Sequence, residues 1–223
     1  MLYALGAPFD FVVLLLSFVV AVTVHGWVQA RAAHRVGERA PAAEDRLTPD
    51  PRRHLDVFGV IGAAVSGTGW SRQTELSPRR SRGSLVTVLL AGAGANVAIG
   101  VLALVAYRLL DGPPAGGSLL SLQTGISGLG LGQEVLYLLG LSNLAVALLS
   151  LVPLPPLPGG RLLFALGPQT PGWQKARYRL IEQNIGTAVL LALLLIPLGG
   201  PQPLLPTLID LLLAPVLRPL LGG

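Results

Sequence analysis

No cysteine occurs anywhere in the 223 residues, which excludes disulfides and thiolate metal sites outright. Charge is scarce as well. Asp, Glu, Lys and Arg together make up 12% of the chain, against about 25% in a soluble domain. Lysine is nearly missing, Lys175 being the single one among 16 basic residues. No basic residue precedes Arg31, so the start of the chain lacks the basic n-region of a secretory signal peptide, and the first apolar run is expected to remain as a membrane helix. What is present is apolar: 52% hydrophobic residues and a mean hydropathy of +0.65. That is a membrane composition. Arginine in place of lysine, with abundant Ala, Gly, Leu and Pro, points to a bacterial genome rich in G and C. A net charge of +5 with a pI near 10.4 suits nucleic-acid binding in a soluble protein. Here the excess of basic residues on one side of a membrane accounts for it, and no nucleic-acid partner is expected.

The apolar runs give an all-α integral membrane protein, a multi-pass helical bundle forming one membrane domain over residues 1–223. Residues 11–30 are 20 in number and rise about 30 Å as a helix, enough for one crossing. Further spans are expected at 84–107, 131–152 and 184–197. In the second, the small residues Ala91, Gly92, Ala95 and Gly100 permit close helix contact. The run at 57–65 is too short to cross, so 57–71 is expected as a re-entrant hairpin. The third span runs into "PLPPLPGGR", whose prolines must break the helix. The tail at 204–221 is apolar but interrupted by Pro206, Pro215 and Pro219, as a broken or interfacial helix would be. Basic residues collect at 31–55, 72–83 and 161–179, while 1–10 and 108–130 are almost free of them. With a re-entrant 57–71, the three basic loops share one side. The positive-inside rule makes that side cytoplasmic and puts the amino terminus outside, in a bacterial cytoplasmic membrane.

The polar residues of the first span raise the question of function, because polar groups at membrane depth are costly. In "HGWVQARAAHRVGE" a histidine, a tryptophan and a glutamine fall within five residues. The segments "RLTPDPRRHLDVFG", "GWSRQTELSPRRSRG", "LAGAGAN" and "LVPLPPLPGGRLLFAL" follow in order. Together the five resemble the site-2 protease family of intramembrane zinc metalloproteases over roughly residues 8–195, whose patterns are HExxHAxAAxxxGD, RLTxNPxxHxDxxG, GWAxPVxxNPxxxxxPRRG, LAGPxxN and LxPxPPLDGGRxL. The resemblance implies that fold, with a groove for a transmembrane helix or extended chain.

The departures fall on the chemistry. In HExxH two histidines on one helix face bind zinc and the glutamate is the general base. This chain keeps His25, has Gly26 at the glutamate, Gln29 at the second histidine, and Pro158 at the aspartate of DGG. No slipped register restores the motif. The resemblance therefore implies a degenerate member with no catalytic residues and no expected metal, His25 being the retained ligand position. The expected function is that of a pseudoprotease that binds or stabilises another integral membrane protein or transmembrane helix, as regulator or structural subunit. An active zinc metallopeptidase with atypical ligands is the alternative.

Other polar residues compete for a functional role. His34 lies nine residues beyond His25, on the opposite helix face and about 13 Å along the axis, so the two cannot share a metal. A rebuilt site using His25 with His54, Asp56 or Glu134 is set aside, since catalytic zinc takes three protein ligands, and the HxD of His54 and Asp56 reads as a loop anchor. His25 is expected as a hydrogen-bonded relic and Gln29 as packing across helices. Asn96 and Asn143 are expected to satisfy broken-helix backbone near 153–158. With Trp70 and Pro155 they are the candidate groove or contact residues. Glu134 and Asp210 are expected near water at span ends, and the arginines to set topology and bind anionic lipids. Ser142 and Ser150 lack a nucleophile context. A transporter or lipid-binding role suits broken helices, but no inverted repeat is evident.

Overall fold

The computed structural model describes residues 1–77, 81–114, 118, 121–124, 128–197 and 203–221. Arg79 and Arg80 of the expected basic loop lie outside them. The described residues are helical, and their one β feature is an isolated bridge between Leu55 and Ser71. After a 3-10 turn at Leu2–Gly6 come α1 (Pro8–Arg35), α2 (Ala40–Ala43), α3 (Pro51–His54), α4 (Val57–Ser66), α5 (Arg82–Leu109) and α6 (Ser121–Thr124). Then follow α7 (Leu131–Leu151), α8 (Pro158–Leu166), α9 (Pro171–Arg177) with a π turn at Tyr178–Glu182, α10 (Ile185–Leu195) and α11 (Leu204–Leu221). Four of the described helices, α1, α5, α7 and α11, are long and apolar enough to cross a membrane. The chain is a multi-pass membrane protein.

The centre is a bundle of α1, α5 and α7, each packed on the other two. Glycines set how close these helices come. A Cβ on Gly100 of α5 would lie 2.7 Å from Leu144 of α7, and one on Gly140 of α7 would lie 2.7 Å from Leu104 of α5. The crossing is therefore a reciprocal fit of leucine over glycine, the small-residue contact that membrane helices use when lipid is as apolar as their side chains.

The apolar run at 184–197 forms α10, 11 residues and about 16 Å long. It meets the Pro171–Glu182 segment at a 68° bend, where Asn184 takes the left-handed conformation at φ 56°. The tail is one continuous helix with Pro215 and Pro219 inside it. Leu205, Ile209, Leu213, Leu217 and Leu221, spaced every four residues, bury one face of α11 and hold it across those prolines.

Between α1 and α5 the chain makes a compact polar elbow. Asp50 caps α3 by accepting from Arg52 N at 3.0 Å, and Asp56 caps α4 by accepting from Gly59 N at 2.8 Å, each satisfying a free helix-start donor. After α4 the chain reverses at Gly67, φ 83°, and returns against the helix. A Cβ on Gly59 would sit 2.2 Å from the Trp70 carbonyl oxygen, so only glycine allows that return.

Candidate functional site

His25, Gly26 and Gln29 lie on the buried side of α1, His25 2% and Gln29 1% exposed. His25 packs on α5, where a Cβ on Gly92 would meet its ring at 2.8 Å. The LAGAGAN segment therefore supports the histidine directly. One turn along, Asn96 of the same segment donates to the Ala21 carbonyl of α1 at 3.1 Å. Asn143 donates to Leu139 O within α7 at 2.8 Å. Both amides thus serve α1 and α7 backbone, which corrects the expectation that they satisfy the proline break. Both are wholly buried.

His54 lies over Gly26. A Cβ at position 26 would be 2.8 Å from His54 Nδ1, so the imidazole borders the space into which a longer side chain there would extend. The ring is oriented: Nε2–H donates to the Thr48 carbonyl at 2.9 Å, leaving Nδ1 of the neutral ring as an acceptor. That atom is buried without a hydrogen-bond partner, as are His25 Nδ1 and Gln29 Nε2. Burial lowers the His54 pKa from its ordinary 6.5, Arg46 acting with it and the Thr48 bond and Asp50 against it.

The proline break folds back over the end of α7. A Cβ on Gly159 would be 2.3 Å from the Leu151 carbonyl oxygen, and one on Gly160 would be 2.2 Å from the Leu154 carbonyl carbon. The glycine pair is thus required by packing whatever precedes it. Pro158, buried at the first position of α8, has no side-chain donor.

The remaining candidates are dispersed. His34 is exposed and donates to Glu38 O at 3.3 Å. Asp56 is occupied as the cap of α4. Glu134 is 5% exposed and sits beside the Asp10 carboxyl group. It is therefore buried, not open to water as its place near a span end suggested. It lies at the Asp10 end of α1, about 22 Å along the axis from His25. Ser150 donates to Ala147 O at 2.6 Å, and no hydrogen bond joins either Ser142 or Ser150 to His25 among the described residues. Trp70 and Pro155 both line a cavity of about 600 Å³ between α4, α10 and the proline break.

Two arginines do structural work that charge counting did not assign. Arg46, 1% exposed, donates to the carbonyls of Gln73 at 2.8 Å and Arg72 at 2.7 Å. Arg161 donates to Thr74 O at 2.6 Å. Two guanidinium groups thereby hold the extended stretch after Trp70 by three consecutive carbonyls. Trp27 Nε1 and Arg31 Nε both donate to Leu47 O, at 2.9 and 3.2 Å, fastening the elbow to α1. In the sequence, Arg46 opens the RLT match and Arg161 closes GGR, which is the signal that could have found them.

The protein named "Putative zinc metalloprotease YwhC" from Bacillus subtilis (strain 168) is 32% identical to this chain over 193 residues, covering 84% of this chain and 82% of that protein. The chain belongs to that metalloprotease-like family. No family model matches it, and no solved structure matches it significantly. Within the family framework, the donors gathered around Gly26 in this chain are two imidazoles and one neutral amide. No group of three His, Cys, Asp or Glu side chains that could hold a metal is found among the described residues. Pro158 adds no donor and Gly26 no base. A catalytic zinc takes three nitrogen, sulfur or carboxylate ligands and an open position for water, and this donor set does not fit it.

Proposed function

We propose that this chain is a catalytically inactive, site-2 protease-like membrane protein, a pseudoprotease that binds or stabilises another membrane protein as regulator or structural subunit. The observation that carries it is the contrast between scaffold and chemistry. Gly92, Gly159, Gly160 and the elbow from Arg46 to Asp56 all make close supporting contacts. The positions they support hold glycine, glutamine and proline. In this reading 57–71 is re-entrant and the chain sits in a bacterial cytoplasmic membrane with its amino terminus outside and the basic loops, which attract anionic lipids, inside. The partner is a transmembrane helix or membrane protein held along 72–77 and the proline break, beside Trp70 and Pro155. Copurification in mild detergent from native membranes tests this: a stoichiometric membrane-protein partner is expected, and isolation of the chain alone under conditions that preserve other complexes contradicts it.

One observation favours a second function, an active zinc metallopeptidase with atypical ligands. His54 Nδ1 is unpartnered and its ring is fixed through Nε2–H to a carbonyl, the orientation that metal-ligating histidines commonly have. Chelator-sensitive cleavage of a membrane-spanning substrate, lost in both His25→Ala and His54→Ala, would establish it. Cleavage unaffected by His25→Ala rules it out.

A further inference from the structure

α9 and the π turn that continues it, Pro171–Glu182, contain no buried residue, although the segment is amphipathic. Trp173, Ala176, Leu180 and Ile181 are half-buried, while the residues between them are exposed. Lys175 and Arg179 keep the outer face in water or among headgroups. The inner face is incompletely covered because hollows lie under it. Leu180 and Ile181 line the cavity of about 600 Å³ that holds Trp70 and Pro155. Ile181 also lines a second of about 590 Å³, with Ala165 of α8 on its wall, and Trp173 lines a third of about 460 Å³. One amphipathic face thus borders three spaces without filling them. Few buried apolar contacts are the mark of an element that opens locally at low cost.

Its ring contact with α8 is made by Trp173. The indole packs on Phe164 with ring centroids 5.0 Å apart, and against Gly167, where a Cβ would lie 2.5 Å from the ring. That seat is imperfect, because Trp173 Nε1–H is buried without a hydrogen-bond partner. An unsatisfied buried donor costs about as much as an aromatic contact contributes, so the net hold is small. Both ends of the segment can bend. Before it, Pro168, Gln169 and Thr170 are exposed and non-helical. After it, the π turn leads into Asn184, left-handed at φ 56°, at the 68° bend before α10. Hinges are a few such terminal residues that absorb a change of backbone angle.

We propose that Pro171–Glu182 is a lid over the cavities at the proline break, latched by Trp173 on Phe164 and Gly167 and hinged at Asn184. With the indole seated, Leu180 and Ile181 close the cavity of Trp70 and Pro155. With it released, the segment swings on Asn184 and opens that cavity and its neighbour together, since Ile181 lines both. As control of the space assigned above to a polypeptide, the lid rests on that reading; as a movement of this chain it is measured with no partner present, so the two fail separately.

The test uses the absence of cysteine. Ala165→Cys in the second cavity and Thr187→Cys in the first, both half-buried positions, are introduced singly and their maleimide labelling rates measured on the full chain in detergent. Trp173→Ala is expected to raise both rates roughly tenfold, the scale of one aromatic contact. Trp173→Phe, which keeps a ring against Phe164, is expected to stay near the wild-type rates. Hydrogen exchange should quicken in Pro171–Glu182 of the Trp173→Ala protein and stay unchanged in α7. Unchanged labelling in Trp173→Ala, an equal rise in Trp173→Phe, or faster exchange throughout α7 would each overturn the proposal.

Discussion

Gly26 and His54 are best understood together, because each sets what the other can be. A Cβ at 26 would press on the His54 ring, while the Thr48 carbonyl fixes that ring through Nε2–H. The folded state holds His54 neutral, its pKa lowered chiefly by burial. The unfolded chain protonates near the ordinary 6.5. Between the two values the unfolded state binds more protons, so stability rises with pH, is complete above about 6.5, and is lost as pH falls below it. Thermal unfolding in detergent should therefore show a melting temperature that declines below pH 6.5, with a shallower decline in His54→Gln. Parallel pH profiles for the two proteins would remove His54 from the account. At this scale the resemblance assigns motif positions to His25, Gly26, Gln29 and Pro158 by local spacing, and the structure shows the first three on the buried side of α1 and Pro158 at the start of α8. The approach of His54 to Gly26 was not legible in the sequence, since it depends on how the elbow folds back on α1.

Among the elements, the stretch after Trp70 is held mostly by side chains, beyond one backbone bond from Arg72 N–H to the His54 carbonyl at 2.7 Å. It is extended without belonging to a sheet, and its carbonyls at 72, 73 and 74 are taken by Arg46 and Arg161. Replacing Arg46 by methionine keeps most of its length and leaves two acceptors unpaired. Hydrogen bonds to a charged donor contribute about 1.5–3 kcal/mol each, so Arg46→Met is expected to raise hydrogen exchange and protease cutting at 72–77 well above wild type. Arg46→Lys should rescue only part, since an ammonium lacks the planar fork that reaches two carbonyls. Unchanged exchange in Arg46→Met would show that other contacts hold the segment. Composition pooled all arginines as topology signals because charge counting cannot distinguish a guanidinium in water from one turned into the protein. Composition likewise read 184–197 as a span, and α10 together with the Pro171–Glu182 segment, bent by 68°, makes either a broken span or a re-entrant loop. Hydropathy registers apolar length but not the left-handed Asn184 that starts α10 afresh.

For the whole molecule, loop charge and apolar length gave the multi-pass helical class. The packing of α1, α5 and α7 follows from glycines that a hydropathy profile does not register. The absence of cysteine offers a clean test of orientation, because single cysteines can be introduced without background. Pro114→Cys and Lys175→Cys occupy exposed positions, the first in the arginine-poor loop and the second in a basic one. A membrane-impermeant maleimide on intact cells is expected to label the first and spare the second. The reverse pattern would invert the proposed topology.

The loss of metal chemistry is the central claim, and metal stoichiometry tests it most directly. The chain is purified from cells grown with ample zinc, without chelators, alongside His25→Ala. Both proteins are expected to carry far less than one zinc per chain, with no difference between them. One tightly held equivalent in the wild type that disappears in His25→Ala would contradict the account.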